Sequence, residues 1–202
     1  MALGPEFYDR PVLEVAQDLV GCVVEHDGCA GVIVETEAYH HSEPAAHSYV
    51  GRTKRTEVLF GQPGQAYIYR SYGIHALLNA VCEGPEVGAA VLIRALQPVE
   101  GVARMRARRE VASEVELANG PGKLTQALGI DLDLNATLLY EGPILIHPRE
   151  PEWTDPPLIT GTRIGITKAV DLPWRFSAAG SRYVSRPWPP GLRDTINKPA
   201  KR

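Results

Sequence analysis

The apolar positions of this chain recur at two spacings, one helical and one alternating. After Pro11, residues Val12, Leu13, Val15, Ala16, Leu19 and Val20 follow the spacing of one helix face, and Gly21 closes the run. The pattern predicts a helix opened by proline and ended by glycine. Residues 22–26 and 31–39 lie on either side of Asp27-Gly28, and two strand-like runs around an Asp-Gly pair predict a hairpin. Residues 66–71 and 75–82 predict a second hairpin with Tyr72-Gly73 at its turn, and residues 89–95 a further apolar strand. Residues 99–117 are charged and helical in pattern, residues 120–130 open with Gly-Pro-Gly-Lys and continue as a short helix, and residues 138–140 and 163–167 read as short strands. Together these elements predict an α+β fold: a curved, mainly antiparallel sheet with flanking helices and a protruding hairpin.

Between the hairpins, residues 40–65 are rich in His, Ser, Pro, Gly and charge; a long connection of this kind in a compact domain is often functional. The chain has 202 residues, 44% of them hydrophobic and 22% charged, which suits one domain with a substantial core. Residues 185–202 are expected as an extended tail. No apolar stretch is long enough to span a bilayer, and Glu6, Asp9 and Arg10 precede the first apolar run, so no membrane partner and no leader is expected. Cys22, Cys29 and Cys82 are an odd set without paired spacing. Neither a disulfide framework nor a zinc site is expected, and a cytoplasmic, monomeric protein without metal or cofactor fits best.

The net charge of -3 weighs against a nucleic-acid partner, which needs cations. Distribution changes that picture, because Arg52, Lys54 and Arg55 cluster in one loop and Arg193, Lys198, Lys201 and Arg202 weight the C-terminus. Arg104, Arg106, Arg108 and Arg109 are followed by Glu110, Glu114 and Glu116, the pattern of a solvated helix face that pairs with itself. Lys123, at a helix start, is placed to meet phosphate; Leu124 stands where a nucleotide P-loop needs Ser or Thr.

In Glu35-Thr36-Glu37-Ala38-Tyr39, strand alternation puts Glu35, Glu37 and Tyr39 on one face. A carboxylate beside an aromatic wall is partly desolvated and suited to general-base work, whereas an isolated strand would simply expose it. Tyr67 and Tyr69 share a strand face, where core packing accounts best for Tyr67. Tyr72 sits at a hairpin tip with no core to fill, as a wedge for a base step would.

The strings Glu-Thr-Glu-Ala-Tyr, Ala-Ala-His-Ser, Tyr-Ile-Tyr-Arg-Ser-Tyr-Gly, Leu-Leu-Asn-Ala, Val-Leu-Ile-Arg-Ala-Leu-Gln-Pro and Gly-Pro-Gly-Lys-Leu-Thr-Gln-Ala-Leu-Gly-Ile follow one another along the chain. In order and spacing, from about Leu13 to Ser181, the sequence resembles the alkyladenine DNA glycosylases, also called methylpurine or 3-methyladenine DNA glycosylases. The resemblance implies a single glycosylase domain that flips damaged purines (alkylated, deaminated or etheno adducts) out of double-stranded DNA and hydrolyses the N-glycosidic bond. It implies Glu37 as general base and Arg94 as the residue that helps to place the water. It further implies Tyr39, His47 and Tyr69 as walls on the flipped base, Asn79 as the pocket residue that obstructs the amine of normal guanine, and Tyr72 as the intercalating side chain. Ile74 and Leu59 stand where the family often carries methionine. Two other readings remain open: a damage-binding protein without catalysis, and a metal-dependent hydrolase using His40, His41, His47 and a carboxylate.

Overall fold

The computed structural model describes residues 1–153 and 157–196. Helices α1 (Pro5–Tyr8) and α2 (Val12–Asp18) precede strands β1 (Val23–His26) and β2 (Cys29–His40). Asp27 and Gly28 at the turn between the strands have φ of 46° and 65°, so both central residues take the left-handed conformation that matches a tight turn to the twist of its strands. Two 3-10 turns, His47–Val50 and Glu57–Phe60, occupy the long connection. It leads to β3 (Ala66–Ser71), β4 (His75–Cys82), β5 (Ala89–Glu100), α3 (Val102–Arg109) and α4 (Pro121–Leu128). Strands β6 (Leu145–His147), β7 (Leu158–Gly161) and β8 (Arg175–Ala178) and helix α5 (Leu192–Ile196) follow.

The strands form one antiparallel eight-stranded sheet in the order β3-β4-β5-β2-β1-β6, with β8 joining β2 and β7. The first half of β2 pairs with β1, and Glu35–Glu37 pair with β8. Alternation divides the sheet. Ile68, Leu78, Ala80, Val91 and Ile93 belong to the main core, which also takes in Val15 and Leu19 around α2 and Leu124 and Leu128 of α4. The opposite face carries a smaller cluster of Leu59, Phe60, Tyr67, Val81 and Ala90. On that face a single register row runs across five strands: Tyr67 faces Asn79, Asn79 faces Leu92, Leu92 faces Glu37 and Glu37 faces Arg175. Directly opposed residues in an antiparallel sheet share a face, so strand order brings together side chains far apart in sequence.

Four expectations change. The helix expected over 99–117 is confined to α3, because β5 runs on to Glu100 and Glu110 takes φ 53°, which ends the helix. The arginines of α3 do not pair chiefly with the acids that follow. Arg104 and Arg108 both reach Asp27 at the first hairpin turn, and only Arg106 meets Glu114, at 3.5 Å. Residues 138–140 and 163–167 are not strands: Leu138 makes one isolated bridge to Gln65, and 163–167 wrap around buried carboxylates. The segment 185–196 is packed rather than extended, with Ser185 and Leu192 buried and Leu192–Ile196 forming α5. Lys198, Lys201 and Arg202 lie outside the described residues.

Candidate active site

Glu37 is fully buried. Its Oε1 accepts the Ile164 backbone N–H at 2.7 Å, and its Oε2 accepts the Tyr39 hydroxyl at 2.8 Å and Arg94 Nη1 at 3.2 Å. Burial raises its pKa; Arg94, the Ile164 amide and Tyr39 oppose the rise, and Glu35 adds to it. The result is a desolvated carboxylate held ready by three donors, with a proton affinity above that of an ordinary glutamate. Tyr39 responds in kind, its pKa raised by burial and then by the adjoining Glu37 charge.

The position of Arg94 depends on two irregularities in the β2–β5 ladder. Ile33 faces Leu96, Glu35 faces Ala95 and Thr36 faces Ile93, so Val34 and Arg94 are each left without a register partner. Such bulges re-aim side chains. Arg94 ends between two carboxylates, 3.2 Å from Glu37 and 3.6 Å from Glu35, with Nη2 donating to Ser185 Oγ at 3.4 Å. Burial alone lowers its pKa, but Glu37 and Glu35 together outweigh that and raise it. Glu35 also accepts Arg175 Nε at 2.5 Å and the Ser185 N–H at 2.9 Å. Two carboxylates and two guanidiniums therefore form one buried group, balanced in charge, as burial of ions requires. Sequence reasoning placed Glu35 beside Glu37 but missed Arg175, Ser185 and the Ile164 amide, whose partners are too distant in sequence to leave a local pattern.

In front of this group lies a cavity of about 910 Å³. Tyr39, His47, Tyr69, Asn79 and Arg94 line it, whereas Glu37 sits directly behind Tyr39, Arg94 and Ile164 rather than on the wall. Tyr67 and Tyr69 stack with centroids 5.5 Å apart, and His47 meets the Tyr69 ring edgewise at 4.6 Å and shares a 3.1 Å hydrogen bond with the Tyr67 hydroxyl. Tyr67 thus both fills the small cluster and lines the cavity, more than the core role expected of it. Burial, then the Arg55 charge, lowers the His47 pKa, so this wall is neutral at pH 7. Burial likewise pushes the Tyr69 hydroxyl up to about 12. Asn79 donates Nδ2 to the Tyr67 carbonyl at 3.0 Å, which fixes its amide at the floor.

At the rim, Tyr72 is 88% exposed at the tip of the β3–β4 hairpin, and Ile74 beside it is also exposed. Tyr72 and Gly73 have φ of 49° and 74°, again a tight hairpin turn. Helix α4 meets the hairpin at Gly122, where a side-chain carbon would come within 2.8 Å of His75. Lys123 lines the cavity and donates to Asn119 at 2.8 Å. The three basic loop residues separate: Arg55 lines the cavity 5.9 Å over the Tyr69 ring, Arg52 is bound to Glu86 at 2.6 Å, and Lys54 is exposed without a partner among the described residues. The His40 and His41 rings pack against each other at a tilt of 49°, centroids 4.4 Å apart, and neither lines the cavity as His47 does. Among the described residues, no group of three His, Cys, Asp or Glu side chains is placed to hold a metal ion, and no helix is long and apolar enough to cross a membrane.

The family model for methylpurine-DNA glycosylase matches residues 6–182. The chain belongs to the methylpurine-DNA glycosylase family. Among its relatives, a protein of Bradyrhizobium diazoefficiens is 55% identical over 183 residues, covering 91% of this chain and 90% of its own. One from Rhodopseudomonas palustris strain HaA2 is 55% identical over 191 residues, covering 93% and 94%, and one from Methanoculleus marisnigri is 52% identical over 191 residues, covering 92% and 100%. All three carry the provisional name 3-methyladenine DNA glycosylase. Membership makes this glycosylase a hydrolase of N-glycosyl bonds in DNA.

Proposed function

We propose that the protein draws a damaged purine nucleotide out of duplex DNA into the aromatic cavity and releases the base with a water activated by Glu37. The observation that carries this reading is the fully buried Glu37 carboxylate held immediately behind the cavity wall by Tyr39, Arg94 and Ile164. A carboxylate offers about four lone-pair sites, and three are taken by these donors, so one is left for a water. That water attacks C1′ of the sugar, its proton passes to Glu37, and the C1′–N bond breaks with its electrons leaving on the purine. A cationic alkylated purine leaves without help, and a neutral lesion needs its ring protonated. His47, Tyr69 and Tyr39 supply π-faces, which favour an electron-poor or cationic base, and Asn79 faces the edge of the base. Alkylated, deaminated and etheno purines are the proposed substrates, and a monomer on double-stranded DNA the working form.

The deciding experiment incubates the pure protein with a panel of lesion-bearing duplexes and reveals abasic sites by heat and alkali. Release of at least one damaged base supports the reading, and tight lesion binding without release would replace it with a damage-binding role. Because water is the nucleophile, strand nicking is expected to be absent and borohydride to trap no covalent adduct; a trapped adduct would overturn the single-step hydrolysis.

Tyr72→Ala is expected to reduce the flipped population roughly ten-fold, the order of one lost stacking contact, and most strongly for lesions in stable pairs. Because Tyr72 is exposed, its truncation leaves no cavity, so the melting temperature should hardly change. A fluorescent base analogue at the lesion, read beside thermal denaturation, checks both halves; a large melting loss with unchanged flipping would reject the wedge role.

DNA binding is expected to weaken as salt rises despite the net charge of -3. Lys54→Ala and Arg55→Ala should each flatten the slope of log affinity against log salt by about 0.9, one phosphate contact each. Arg52, already committed to Glu86, and Lys123, committed to Asn119, should change it less. An unchanged slope in the Lys54/Arg55 double variant would assign the loop to solvent.

A further inference from the structure

Behind the Tyr39 wall lies a second buried ion pair, between residues that the reaction itself does not use. Arg163 donates Nη1 to Glu43 Oε1 at 2.6 Å and Nη2 to Glu43 Oε2 at 3.0 Å, a bidentate contact between two buried side chains. Arg163 also donates to the carbonyls of Ala38 and Ala169, at 3.0 and 3.4 Å. Its guanidinium lies 4.6 Å from the centroid of the Tyr39 ring and 5.3 Å from that of Trp174. Tyr39 lines the cavity and Arg163 does not, so the cation backs the ring on the side away from the space a base would enter.

A cation on one face of an aromatic ring draws on the same quadrupole that attracts a cationic base to the other. Left alone, Arg163 would oppose a positively charged purine stacked on Tyr39. A unit charge about 8 Å from the base, at an effective dielectric of about 20, changes its binding by roughly thirty-fold. The Glu43 carboxylate, bidentate on the guanidinium, cancels most of that charge while leaving the geometry of the clamp. We infer that the Glu43–Arg163 pair sets the charge behind Tyr39 and so determines the preference of the pocket between cationic and neutral damaged purines. The inference rests on the proposed stacking of the base against Tyr39. In this role Glu43 and Arg163 are positioning and specificity-determining residues: Arg163 touches the ring, Glu43 acts through Arg163, and neither touches the substrate.

The test compares two duplexes, one carrying cationic N7-methylguanine and one neutral hypoxanthine, through the protein concentration that half-saturates single-turnover release. Taking the ratio of the two half-saturations within one preparation cancels any loss of folded protein. Glu43→Gln, which leaves Arg163 charged, is expected to weaken the cationic lesion relative to the neutral one by about ten-fold or more. Arg163→Met, which leaves the carboxylate, should shift the ratio the opposite way. The double variant carries neither charge and should return the ratio toward that of the unmodified protein, even where absolute rates fall. A merely structural role would impair both lesions alike in all three proteins, and a ratio that stays within two-fold in whichever single variant folds overturns the inference. Should the unmodified protein release neither base, the glycosylase reading itself fails; should it release both while the ratio stays fixed, only the charge device is rejected.

Discussion

Glu37→Gln is expected to abolish base release while leaving lesion binding and the overall fold in place, at a cost in stability because Arg94 and Arg175 then share Glu35 as counter-ion. Glutamine keeps the shape of the side chain and an oxygen for the Ile164 amide, but it has no basic site for the proton of water. Loss of a general base costs about 100- to 10,000-fold, and more where the water is also misplaced. Single-turnover release measures the first effect and gel-shift titration the second; turnover within ten-fold of the unmodified protein would remove Glu37 from the role. Stability supplies an independent check on its burial. The folded-state pKa of Glu37 is raised above its unfolded value, so the folded protein holds the proton more tightly. Ionisation therefore costs stability progressively as pH rises from the ordinary carboxylate value through the raised one. The neutral glutamine escapes that cost, so the melting temperature of Glu37→Gln relative to the unmodified protein should rise with pH over that window. A flat difference would mean that Arg94 and the amide balance burial, and one that falls with pH that they more than offset it.

Replacing Arg94 should have an effect of similar size by a different route. Arg94 is the nearest charge holding Glu37 ionised, and it also faces Glu35. Arg94→Met leaves two buried carboxylates with only Arg175 as counter-ion. Breaking a buried pair in this way costs about 3–5 kcal/mol of stability. Activity responds through protonation: with the Arg94 charge gone, the Glu37 pKa rises further, and at neutral pH more of the base is occupied by a proton. A loss of about 100-fold or more at pH 7 is expected, with partial recovery as pH increases, because the acid limb of the rate profile moves upward. A uniform loss at all pH values would assign Arg94 to placing the water alone. The other charged or titratable groups facing Glu37, namely Tyr39, Tyr69 and Glu35, are unchanged in this variant, so a moved limb reports on Arg94.

The parts of the fold governed by neighbouring residues were legible in the sequence. Asp27-Gly28 and Tyr72-Gly73 each place two successive residues at positive φ, a local demand that fixes a hairpin and, through it, the register of the strands on either side. Helix α2 was similarly local, set by Pro11 and a helical apolar stripe. Expectations failed where a boundary depends on what packs against it. The helix over 99–117 stops at Glu110, and 163–167 forms irregular backbone because its amide and guanidinium serve Glu37 and Glu43 instead of a strand partner.

The sequence by itself determined the family, through the order of its motifs, and named Glu37, Tyr39, His47, Tyr69, Asn79 and Arg94 as the candidate site. Only the tertiary structure decided what surrounds Glu37. Its partners and those of Glu35 lie 57, 127, 140 and 150 residues away along the chain, at Arg94, Ile164, Arg175 and Ser185. The reason is electrostatic. A carboxylate removed from water must be met by opposite charge and hydrogen-bond donors at contact distance, a condition on positions in space. Strand order and two bulges bring those groups together here, and no spacing along the chain records it.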